Sequence, residues 1–246
     1  MSLDPFACRR SIGSIFMKTT TQTVFKLATM LILFCCMVSS SAAEFKLKVS
    51  ENKIPDQVAT SIASTLEGKT YEIMKGDDLI YRFWFRKEIP LSSKPDTPED
   101  ALAAFIQPEL IGIVEVPEES RDYRDDELFK NIFTIRYGIR PDDGNHLGTS
   151  DYRHFAVLIP AKMDKELDGI DGYKSLVKKS SSDTISDHPV ILSLRPVDGE
   201  SGKLPSLTEP ARHHHALRVE LLGKVKESEM TASVKFDLVF DGYAEF

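Results

Sequence analysis

Cysteine is scarce in this sequence, and its placement matters more than its number. All three cysteines, Cys8, Cys35 and Cys36, lie within the first 36 of 246 residues. If the N-terminal segment is removed, no thiol remains, which excludes disulfides, thiolate metal sites and cysteine nucleophiles together. Several motifs are also missing: there is no G-x-S-x-G, G-x-x-x-x-G-K, G-x-G-x-x-G or H-E-x-x-H. Serine-hydrolase elbows, P-loops, dinucleotide fingerprints and that zinc-protease helix are excluded with them. Tryptophan occurs once, at Trp84. Long hydrophobic runs are absent too. The run at 27–38, "LATMLILFCCMV", has 12 residues, against the roughly 20 a helix needs to cross a bilayer.

That run follows Lys18 and Lys26 and precedes "SSSAAEF". A basic segment, a short apolar segment and small residues at Ser41 and Ala43 describe a secretory signal cleaved after Ala43. "MKTTTQTVFK" opens like a conventional signal, so Met17 is the expected biological start. Lipidation is not expected, because Phe34 stands where a small residue should precede an acylated Cys35. The expectation is a leader over 1–43 and one domain over 44–246. The mature protein would be exported to the periplasm, the cell surface or the medium, with no stable membrane span. Its 203 residues suffice to bury a core without disulfide support.

Positive charge is in deficit. Removing residues 1–43 takes away four basic residues and one acid, so the net charge of −7 becomes −10. Such a field does not attract nucleic acid or anionic lipid. It is compatible with cations, sugars or basic partners.

What is present is alternation. Phe45, Leu47 and Val49 interleave with Lys46, Lys48 and Ser50. Residues 70–86 read as a hairpin turning at Gly76-Asp77-Asp78, with Leu79, Tyr81, Phe83 and Phe85 on one face. Phe133, Ile135, Tyr137 and Ile139 repeat the pattern, with Thr134, Arg136 and Arg140 opposite. "FAVLIP" at 155–160 is apolar on both faces and suits a central strand. Residues 189–195, 216–225 and 231–241 supply three more strands. Short helices are expected within 56–66, at "TPEDALAAFI" with Thr97 and Asp100 as a capping box, and at "DGYKSLVKKS". The fold class expected is mainly β, a single β-sandwich-like domain with two or three short helices.

Three groups of residues are candidates for a site. After the Pro141-Asp142-Asp143-Gly144 turn, Asn145, His146, Thr149 and Asp151 exceed what turn chemistry requires. Oxygen ligands and an imidazole there suit a small ligand or a divalent cation, with Asp143 as a further oxygen donor. In "ARHHHAL", a strand starting at 211 puts His213 and His215 on one face. Those two could share zinc or copper with His146 or His154 as third ligand. Trp84, on the face of Arg82 and Arg86, is the candidate for stacking on a sugar. The acidic stretch "EVPEESRDYRDDEL" at 115–128 reads as a solvated surface loop.

The blocks "FWFRKEIP" at 83–90 and "IRYGIRPDDGNHLGTSDYRHF" at 135–155 resemble exported proteins of unknown function from environmental, planctomycete-type bacteria. The resemblance implies secretion and a β-rich domain and carries no activity. The leading expectation is therefore an exported, non-catalytic binding or accessory module, whose partner is a small molecule, a glycan or another protein. The alternatives are a metal-binding protein or metal-dependent hydrolase holding zinc, copper or calcium, and a carbohydrate-binding module.

Overall fold

The computed structural model describes residues 44–97, 100–143, 152–183, 188–197 and 202–244. The expected leader, with the cleavage after Ala43 and the start at Met17 read from the sequence, lies outside the described residues. So do Asn145, His146, Thr149 and Asp151.

Alternating side chains build one large sheet. Its strands are β1 (Phe45–Glu51), β2 (Lys69–Lys75), β3 (Asp78–Phe85), β4 (Ile89–Leu91), β5 (Leu110–Val116), β8 (Asn131–Ile139), β9 (His154–Pro160), β10 (Val190–Pro196), β11 (Ser206–Ala211), β12 (His214–Val225) and β13 (Thr231–Asp241). They lie in the order β1-β2-β3-β5-β8-β9-β10-β13-β12-β11, each antiparallel to its neighbour, with β4 added parallel to β12. A separate hairpin joins β6 (Ser120–Arg121) to β7 (Glu127–Leu128).

The sheet folds over on itself. Phe45 of β1 meets His215 of β12 and Phe240 of β13, at ring-centroid distances of 4.8 and 5.2 Å. The enclosed core takes Tyr81, Phe83 and Phe85 from one side and Phe236, Leu238 and Phe240 from the other. The protein is thus mainly β and sandwich-like. Both layers use the predicted alternation, since a period of two sends every second side chain inward.

Among the described residues, three short α-helices cover what remains: α1 (Thr60–Ala63), α2 (Asp100–Ala103) and α3 (Gly172–Ser180). The capping box forms as read: the Thr97 N–H donates to Asp100 Oδ2 at 3.2 Å, and the Asp100 N–H donates back to Thr97 Oγ1 at 3.3 Å. Lys178 and Lys179 occupy the last turn of α3, where the helix dipole favours cations. Among the described residues, no helix is long and apolar enough to cross a membrane.

Several strand faces differ from the reading of the sequence. Arg136 and Thr134, expected on a polar face, are buried under the segment 161–170. The stretch 115–128 is not simply a solvated loop. It completes β5 and forms the β6–β7 hairpin, and it buries Asp122 and Tyr123. The reason is the same in both places: a second layer covers the outer face of the sheet.

Candidate functional site

The outer face of β8, β9 and β10 carries a second apolar patch. Phe155, Val157 and Ile159 alternate outward along β9 and pack with Ile170, Leu176 and Tyr123. Two walls rise from it. One is α3, fixed where Ser180 Oγ donates to Leu158 O at 2.6 Å and accepts from the Val190 N–H at 2.9 Å. The other is the β6–β7 hairpin, held to β10 by the Tyr123 N–H on Ile191 O at 2.8 Å. The Ile191 N–H reciprocates onto Asp122 Oδ2 at 3.1 Å.

Between these walls lies a cleft of about 500 Å³, within the size range of small-molecule sites. Its floor is Phe155, Val157, Ile139 and Ile191. Gly138 keeps that floor open: a Cβ there would stand 2.7 Å from Val157 Cγ2 and 3.6 Å from Leu176 Cδ2. The helix contributes Tyr173, Lys174, Val177 and Lys178, two pairs spaced four apart that share one face. Among the described residues, every charged side chain that lines it is a cation: Arg124, Arg140, Lys174 and Lys178, with His188 beside them. Arg124 meets Asp126 at 3.4 Å. Burial raises the Tyr173 phenol above its ordinary range, and Asp143 adds to the rise.

Asp122 anchors the hairpin wall. It is 1% exposed and accepts the backbone N–H groups of Ile191, Arg124 and Asp126. Burial pushes its carboxyl up to about 6, against the pull of those three donors. A group with a raised folded pKa stabilises the fold fully below its unfolded value of 3.8. That contribution is lost as pH rises through the folded pKa. We therefore expect Asp122→Asn, measured by denaturant unfolding against the wild type, to gain on the order of 2 kcal/mol relative to it between pH 4 and pH 7. A difference that stays constant over this range would refute the assignment.

Of the predicted metal ligands, His146 lies outside the described residues, and His213 and His215 do not share a strand face. His213 is not in a strand: it sits in a turn with φ +61, so β12 begins one residue later, and a bulge at His215/Ala216 interrupts the alternation. His215 Nδ1 pairs with Asp241 Oδ2 at 2.8 Å. His214 has both ring nitrogens occupied. Nε2–H donates to Tyr243 O at 2.9 Å, and Nδ1 accepts from Arg195 Nη2 at 2.6 Å. Gly242 makes this corner possible: it adopts φ +115, and a Cβ there would strike His214 Cδ2 at 2.2 Å. His154 is half-buried against Tyr137, with Nδ1 2.6 Å from the phenol oxygen, and partial burial lowers its pKa. Among the described residues, no group of three or more His, Cys, Asp or Glu side chains could hold a metal ion. Asp143 lies close enough to Tyr173 of the cleft wall to act on its phenol.

Trp84 offers no face to a sugar. It is fully buried among Ile62, Leu66 and Ile113, and its Nε1–H donates to Asn52 O at 3.2 Å. α1 and its flanks cover the face that the sequence pattern left open.

The cleft residues were missed in the sequence because they come from six separated stretches. The signal available was the 173/174/177/178 spacing in "DGYKSLVKKS", an apolar and basic stripe along one helix face.

The class defined here is a mainly β, sandwich-like domain with one apolar cleft under a short helix. Comparison with protein families, with curated proteins and with solved structures gives no match. Function is therefore argued from the cleft.

Proposed function

We propose that this chain is an exported, non-catalytic binding module that holds a small apolar molecule in the cleft between α3 and the β6–β7 hairpin. What supports the reading is the cleft itself, about 500 Å³ with an apolar floor on a sheet whose main core is already filled from its other face. Small-molecule sites are concave and mostly apolar, with a few polar groups that orient the ligand. The cationic groups at the rim are spread over separate elements, Arg124 on the hairpin and Lys174 and Lys178 on α3. Export follows from the leader as read in the sequence and belongs to the same proposal.

A neutral, environment-sensitive fluorophore, N-phenyl-1-naphthylamine, tests this reading. We expect one-to-one binding with enhanced emission. Val177 is half-buried at the cleft wall, so Val177→Trp fills the site without disturbing the core. Each methylene displaced from the floor loses about 0.8 kcal/mol, so affinity should fall at least about tenfold with little change in melting temperature. Absence of dye binding to the wild type, or undiminished binding to the variant, overturns the proposal.

A further inference from the structure

The chain is acidic overall, with a net charge of −7, yet every charged side chain lining the cleft is basic. Two carboxylates stand at its edge, Asp126 against Arg124 and Asp143 close enough to Tyr173 to act on its phenol, but none of the described lining residues is an acid. A surface sampled at random from this composition would show more acids than bases. The cations come from three places: Arg124 on the β6–β7 hairpin, Arg140 just past β8, and Lys174 with Lys178 on α3. They ring a floor of Phe155, Val157 and Ile191 that carries no charge. Lys174 and Lys178 are exposed and lie one turn apart, so both ammonium groups can turn toward one point at the mouth.

An apolar floor under a cationic rim complements one kind of molecule. We infer that the cleft takes a single-chain amphiphile with a carboxylate head, its tail along Phe155, Val157 and Ile191 and its head at Lys174, Lys178 and Arg124. This rests on the reading of the cleft as a small-molecule site and adds the chemical class of the ligand. The tail is recognised by area removed from water, without direction. The head is recognised by charge, and low-dielectric walls on either side strengthen that attraction over its value in open water. An apolar cation or a neutral sterol-like body would gain from the floor alone and would meet repulsion or indifference at the rim.

Calorimetry with a defined series separates the two statements. Octanoate, decanoate and dodecanoate are titrated beside decan-1-ol, which has a ten-carbon tail without the charge. The inference expects affinity to rise about fourfold per added methylene and decanoate to bind more tightly than decanol. Raising the ionic strength should weaken the carboxylates and leave the alcohol unchanged. The exposed double variant Lys174→Gln/Lys178→Gln should lose roughly fivefold to tenfold for decanoate and nothing for decanol, with an unchanged melting temperature. If decanoate and decanol bind equally, or the double variant binds decanoate like the wild type, the carboxylate head is refuted and the apolar cleft survives. If neither decanol nor the neutral dye binds, the cleft itself is refuted. Decanoate binding that persists undiminished in Val177→Trp places the carboxylate elsewhere and also overturns the inference.

Discussion

Asp164→Ala should lose about 3–5 kcal/mol of stability in chemical denaturation. The side chains of Arg136 and Asp164 are 1% and 0% exposed, and the guanidinium meets the carboxylate through two bonds of 2.7 and 2.9 Å. Thr134 Oγ1 donates to the same carboxylate at 2.6 Å. The remaining guanidinium donors go to backbone carbonyls, to Leu167 O and Glu166 O at 2.7 Å each and to Pro108 O at 3.2 Å. Removing Asp164 leaves a fully desolvated charge without its counter-ion, which costs far more than the pair contributes. The double variant Arg136→Met/Asp164→Leu should recover only part of the loss, because three carbonyls then lose their donor. A single-variant loss under about 1 kcal/mol would mean that water reaches the pair. The cluster also holds the segment 161–170 over β8, so local opening there, read by hydrogen exchange, should increase in the same variant.

The second large effect belongs to Trp84→Ala, expected to cost about 3–5 kcal/mol. The indole fills the space between β3, β5 and α1 with Ile62, Leu66, Leu110 and Ile113 around it. Its loss leaves a cavity and leaves Asn52 O without the indole donor. Trp84→Phe should cost less, since the ring still fills part of the volume while the hydrogen bond goes. As the sole tryptophan, Trp84 reports directly. Its emission should be blue-shifted and resist iodide quenching in the native state, and oligosaccharides should not change it. Quenching by a glycan would contradict the burial.

The legibility of this chain varied with the range of the interaction. The Gly76 hairpin, the Thr97–Asp100 capping box, the central strand at 155–160 and the final pair β12–β13 were all readable, because each depends on neighbours within a few residues. β5 at 110–116 and β11 at 206–211 were not read, although β5 sits between β3 and β8. Both faces of β5 are buried, so "LIGIVEV" shows no alternation to detect. The strand start in the histidine run was misplaced for a local reason: His213 is left-handed, β12 begins at His214, and the His214 and His215 imidazoles take different partners.

By itself the sequence determined the class of fold and most of the inward faces of its core, since side-chain period acts locally and adds along the chain. Tertiary structure alone decided which outward faces would be covered. It buried Trp84, Arg136 and Asp122 and left a basic-rimmed apolar cleft beside Gly138. A side chain's exposure depends on the layer packed over it, and that layer is supplied by residues far away in the chain.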